Sequence, residues 1–99
     1  MDYLPLFAEL KQRPVLVIGG GEIAERKIKF LLRAQAQVQV VAGTLSPALA
    51  DLAARQALSW RATEFSDALV DDVFLVIAAT EDEALNQRVF AAANARYRL

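Results

Sequence analysis

Residues 14–24 read Pro-Val-Leu-Val-Ile-Gly-Gly-Gly-Glu-Ile-Ala: five residues of strand type run into three glycines, and a helical pattern begins at once. The spacing Gly19-x-Gly21-x-x-Ala24 is the alanine-terminated form of the dinucleotide-binding fingerprint. The chemistry it offers is recognition of a pyrophosphate by main chain alone. Gly19 permits the sharp turn out of the strand. Gly21 has no Cβ, so phosphate oxygens can come close to the backbone. Ala24 is small enough for the helix to pack tightly on the strand. The helix then aims its free N–H groups and the positive end of its dipole at the phosphates. Taken alone, such a motif also fits a tight strand-to-helix turn with no ligand. Context favours the ligand: an apolar strand precedes it, an amphipathic helix follows, and a further strand, Gln37–Val41, comes where a βαβ unit requires one.

Other chemistries are poorly supplied. The 99 residues include neither Cys nor His, so disulfides and thiolates are excluded, and most metal sites and neutral-pH proton shuttles lack their usual groups. No metal ligand set and no catalytic residue is nominated. Asp82 and Glu83 could be offered as acid–base groups, but Thr80-Glu81-Asp82-Glu83 reads better as a capping box. In it the Thr80 hydroxyl accepts the Glu83 N–H and Glu83 reaches back. A net charge of −1 gives no bulk attraction to nucleic acid or to an anionic membrane. No window approaches the ~20 consecutive apolar residues of a membrane span. Met1-Asp2-Tyr3-Leu4-Pro5 lacks the basic start of a signal peptide. A cytoplasmic, cofactor-dependent role fits these absences.

The elements that position the glycines follow from patterning. At 99 residues and 56% hydrophobic, residues 1–99 form one domain with a real core. Tyr3–Leu10 looks extended, and Lys11–Arg13 is a polar turn. Val15–Ile18 is apolar on both faces, as a buried parallel strand should be. A helix from about Glu22 to Ala34 buries Ala24, Ile28, Leu31 and Leu32. Its outer face carries Arg26, Lys27, Lys29 and Arg33, a solvated stripe with Glu22–Arg26 and Glu25–Lys29 as i,i+4 pairs. Ser46-Pro47 caps a second helix, to about Gln56. Leu58–Ala62 gives a short strand, with Trp60 in a packing role, and Ser66–Val70 a helical turn. Val73–Ala78 is a second all-apolar strand, read as central, and a last helix buries Leu85, Val89 and Ala93. The alternation predicts an α/β, Rossmann-like doubly wound parallel sheet of order 3-2-1-4, truncated after the helix that follows strand 4. The ligand crevice falls between strands 1 and 4, where Gly19–Glu22, Ala42–Thr44 and Ala78–Thr80 meet.

An NAD site usually carries an acid about 20 residues past the glycines, on the ribose 2′-OH. Val40–Leu45 contain no acid, and no Arg or Lys for the 2′-phosphate of NADP. Ribose contacts would then come from the Gly43 backbone and from Thr44. The lack of a basic residue favours NAD over NADP and leaves the choice open. A Walker phosphate loop is excluded, since no Gly-Lys-Ser/Thr follows the glycines.

Three stretches resemble one family in particular: Met-Asp-Tyr-Leu-Pro-Leu-Phe at the start, Val-Ile-Gly-Gly-Gly-Glu-Ile-Ala-Glu-Arg-Lys, and Ala-Ala-Thr-Glu-Asp-Glu-Ala-Leu-Asn. They are similar to the N-terminal module of the siroheme synthases, the precorrin-2 dehydrogenase and sirohydrochlorin ferrochelatase family. The resemblance implies NAD-dependent oxidation of precorrin-2 to sirohydrochlorin, then ferrous iron insertion, often with a fused uroporphyrinogen-III methyltransferase. It places NAD contacts on Glu22, Ile23, Gly43 and Thr44, beside Gly19, Gly21, Ala24 and Thr80 from the crevice. The family's catalytic aspartate would lie a few residues beyond Leu99. The chain is therefore expected to be the cofactor half of a longer, multifunctional and homodimeric enzyme that binds a tetrapyrrole, and to be inactive alone. The competing reading is a regulatory NAD(H)-sensing Rossmann domain of a transporter. Such domains usually carry the strand-2 acid that is missing here.

Overall fold

The computed structural model describes residues 10–96. Its elements run β1 (Pro14–Ile18), α1 (Glu22–Arg33), β2 (Gln37–Val41), α2 (Pro47–Ala54), β3 (Ser59–Ala62), a 3₁₀ turn (Asp67–Val70), β4 (Leu75–Ala78) and α3 (Glu83–Ala95). The strands form one parallel sheet in the order β3-β2-β1-β4. This is the expected Rossmann-like arrangement, and the order reverses between β1 and β4. The expected extended segment Tyr3–Leu10 lies outside the described residues except for Leu10, which is buried.

Strand side chains alternate between two cores. Val15, Val17, Val38 and Val40 pack with Ala24, Ile28 and Leu31 of α1 and Leu49 of α2. Leu16, Ile18 and Val41 pack on the other face with Phe65, Val70, Val73, Val89 and Ala92. With both faces covered, β1 can be apolar throughout. β4 differs from the expectation of a central strand. Among the described residues it pairs with β1 alone, and Val76, Ile77 and Ala78 are only half-buried. It also starts at Leu75. Val73 and Phe74 belong to the approach, where the Phe74 N–H donates to the Pro14 carbonyl at 2.8 Å.

Helix ends depart from the sequence reading for a local reason. α1 and α2 stop at Arg33 and Ala54 because Gln35 and Gln56 turn left-handed, at φ 64° and 62°. In each the next two N–H groups fold back on the last turn: Gln35 to Leu32 and Ala36 to Leu31, Gln56 to Ala53 and Ala57 to Leu52. These are Schellman endings made without glycine, so no residue type announces them. Arg26, Lys27, Lys29 and Arg33 are exposed, as expected. Neither Glu22–Arg26 nor Glu25–Lys29 closes to an ion pair among the described residues.

The capping box at 80–83 is corrected. Asp82 is the N-cap of α3, and its carboxylate accepts the Leu85 N–H at 3.1 Å. The Thr80 hydroxyl instead accepts the Asp82 N–H at 3.1 Å and donates to Asn86 Oδ1 at 2.7 Å. Asn86 Nδ2 returns a bond to the Thr80 carbonyl at 3.0 Å. An Asp two residues downstream competes for the cap and starts the helix later.

Candidate functional site

Parallel strands bring all their C-terminal ends to one rim of the sheet, and three loops are tied together there. The Gly19 N–H donates to the Val41 carbonyl at 2.9 Å and the Ala79 N–H to the Ile18 carbonyl at 2.8 Å. The Ser46 N–H donates to the Gly20 carbonyl at 2.8 Å, which joins the α2 cap to the glycine turn.

The three glycines do different work. Gly19 has φ 140°, and a Cβ there would lie 2.2 Å from the Ala79 carbonyl oxygen. At Gly20 a Cβ would lie 2.1 Å from the Thr44 carbonyl oxygen and 2.8 Å from the Ala42 methyl. Both are glycine because protein backbone fills the space. Gly21 is the N-cap of α1, and a Cβ there would meet none of the described residues within 4 Å. Among the described residues no side chain caps α1. Its first-turn amides therefore open onto free space at the positive end of the helix dipole, with a bare glycine in front.

Two hollows flank this turn and share Gly19, Gly20, Gly21 and Thr80. The larger, about 600 Å³, extends past Ala42, Gly43 and Thr44 to Thr63, Glu64, Phe65 and Arg88. The smaller, about 350 Å³, is bounded by Glu22, Ile23, Ala79 and Glu81. Both volumes fall in the range of roughly 300–1,000 Å³ typical of small-molecule sites. The structure thus gathers Gly19, Gly21, Glu22, Ile23, Gly43, Thr44 and Thr80 around one rim. Ala24 is fully buried in the core, where it seats α1 on the sheet without reaching either hollow. Thr80 reaches both hollows, but its hydroxyl is taken up by Asp82 and Asn86, so it shapes the loop.

Sequence reasoning missed Gly20 and the loop after β3. Gly20 occupies a variable place in the fingerprint, and only the approach of Thr44 explains it. Thr63–Phe65 had a usable signal, since a parallel β3 must end at the same rim as its neighbours. Trp60 is 45% exposed, so it does not pack into the core as expected. Its indole N–H donates to the Ala42 carbonyl at 2.9 Å and holds the loop that carries Gly43 and Thr44. Among the described residues no group of His, Cys, Asp or Glu could hold a metal ion, and no helix is long and apolar enough to cross a membrane.

A parallel sheet with a glycine turn aimed at an uncapped helix start, at the point where strand order reverses, defines a dinucleotide-binding domain of Rossmann type. The profile of a family described as "Putative NAD(P)-binding" matches residues 6–99, and the chain belongs to that family. Its relatives narrow the class. It is 97% identical, over its full length of 99 residues, to siroheme synthase 1 of Klebsiella pneumoniae subsp. pneumoniae, of which it covers 21%. It is 57% identical, again over all 99 residues, to the siroheme synthase of Sodalis glossinidius, also covering 21%. The solved structure of "SirC, precorrin-2 dehydrogenase" superposes with a TM-score of 0.81 at 36% identity, over 91% of this chain and 44% of that one. The chain therefore spans about a fifth of the length of the curated relatives it matches.

Proposed function

We propose that this chain is the NAD-holding part of a precorrin-2 dehydrogenase of the siroheme synthase type. Gly21 carries the reading. Among the described residues, it is the one of the three consecutive glycines that faces open space, at a helix start that no side chain caps. That is a seat for linked phosphates. The amides from Gly21 into the first turn of α1 bind the pyrophosphate. Gly43 and Thr44 meet the adenosine ribose in the larger hollow, and Glu22 and Ile23 flank the nicotinamide side through the smaller one. Glu22 contributes its backbone N–H, and its exposed carboxylate stays in water. Ala24 and Thr80 hold the helix and the fourth loop in place.

Bound NAD supplies a hydride acceptor. Oxidation of precorrin-2 to sirohydrochlorin removes one hydride and releases one proton, and the chain's task is to orient the acceptor. The acid–base group, the tetrapyrrole surface, ferrous iron insertion and a homodimer contact are assigned to parts of a longer cytoplasmic protein, alongside a methyltransferase domain. The resemblance to siroheme synthases and to a precorrin-2 dehydrogenase supports this division.

Calorimetric titration of the full-length protein with NAD, NADP and S-adenosylmethionine, against a variant lacking any methyltransferase segment, tests the cofactor assignment. NAD binding should survive in that variant and S-adenosylmethionine binding should not. Reduction of NAD on addition of precorrin-2 tests the reaction. Turnover with a flavin alone, or without any cofactor, would end this reading.

A further inference from the structure

The adenosine end of this site lacks the usual acid, since Val40–Leu45 carry neither acid nor base. The structure brings an acid there by another route. β3 runs parallel to β2, with Val40 opposite Trp60 and Val41 opposite Ala62, so Arg61 is an extra residue at a bulge. The Ala42 N–H then donates to the Ala62 carbonyl at 3.1 Å. The chain leaves β3 at Thr63–Glu64 beside the place where β2 ends in Ala42–Gly43. Bulges re-aim the residues that follow them. Ala42, Gly43, Thr44, Thr63 and Glu64 line one wall of the larger hollow.

Among the described residues lining that hollow, Glu64 is the one acid and Arg88 the one base. Arg88 is already engaged. Its Nη2 donates to the Phe65 carbonyl at 3.2 Å, its guanidinium lies 5.2 Å from the centre of the Phe65 ring, and Asp67 is 3.8 Å from its Nε. Arg61 is taken up by Gln39, the Leu69 carbonyl and Asp72. Glu64 is exposed and has no hydrogen-bond or ion-pair partner among the described residues.

We propose that Glu64 is the specificity-determining residue at the adenosine end: its carboxylate accommodates a ribose 2′-hydroxyl and repels a 2′-phosphate. The inference rests on the dinucleotide reading above and deepens it, because the discriminating charge moves from the end of β2 to the end of β3. A hydroxyl can donate to the carboxylate, whereas a phosphate dianion beside a carboxylate that has no cationic partner among the described residues is disfavoured by like-charge repulsion.

The test is titration of the full-length protein and its variants with NAD and with NADP. The unaltered protein should bind NAD more tightly. Glu64→Gln should lower the NAD-over-NADP ratio by about five- to tenfold, mostly by strengthening NADP, and Glu64→Arg should lower it further. The shift should shrink at about 0.5 M salt, where exposed charges are screened. Asp51→Asn on α2 removes the same unit of charge elsewhere and should leave the ratio unchanged. If both cofactors bind and neither Glu64 variant alters the ratio, this inference fails while the dinucleotide reading stands. If the unaltered protein binds neither, both fail.

Discussion

The starts of α1 and α3 face the same rim and are built in opposite ways. α3 satisfies its own donors: Asp82 accepts the Leu85 N–H, and Thr80 and Asn86 lock the approach with bonds in both directions. α1 does none of this. Its cap is glycine, and among the described residues no side chain accepts its first amides and none lies within 4 Å of where a Gly21 Cβ would stand. α2 sides with α3, through Ser46 and Pro47. A side-chain cap is worth about 1 kcal/mol over alanine but only a few tenths over glycine, so the glycine start of α1 gives up little stability while leaving its amides without an acceptor side chain. The proposed function rests on this difference: donors left without a side-chain cap at one helix start, beside two starts that carry one, are available to a ligand.

The largest expected effect comes from destroying the seat itself. Gly20→Val drives a side chain into the Thr44 carbonyl and Ala42, and should lower unfolding free energy by ~3 kcal/mol or more in urea melts. A stable Gly20→Val variant would mean the loops do not meet as described. Next, Gly21→Asp turns the α1 start into one like that of α3. The carboxylate can cap the helix, so stability should hold or rise by about a few tenths of a kcal/mol, while NAD affinity in calorimetry falls about 100-fold or more. Retained affinity would place the phosphates elsewhere. Asp82→Ala performs the converse on α3. It should cost about 1 kcal/mol in thermal or urea unfolding and leave the NAD dissociation constant within about threefold. A large loss of affinity there would show that the two helix starts are not independent. The smallest effect is Ser46→Ala, about 0.5 kcal/mol, because its hydroxyl bond is long at 3.3 Å and the tie from the Ser46 N–H to Gly20 is backbone.

What could be read in the sequence followed from period and glycine placement. Val15–Ile18, the turn at Gly19–Gly21 and the buried stripe of α1 are dictated locally, and the parallel order follows from alternation and right-handed crossovers. The features that escaped depend on contacts distant in sequence. Gly20 is explained only by Thr44, and the reach of Glu64 only by the bulge at Arg61. Thr80-x-x-Glu83 fits a capping box as a string, yet Asp82 makes a better cap two residues on. Val73 and Phe74 have strand composition but stand before β4, because an apolar residue buried in the approach is indistinguishable from one in a ladder.

Trp60 is the chain's single tryptophan, and its indole is pinned to the Ala42 carbonyl at the lip of the larger hollow. The molecule thus carries an intrinsic fluorophore beside the loop proposed to meet the cofactor. Emission from that one ring should shift when a ligand settles against Gly43 and Thr44. It should also be quenched by energy transfer when the nicotinamide is in its reduced, near-ultraviolet-absorbing form, giving a label-free optical report of occupancy and redox state together.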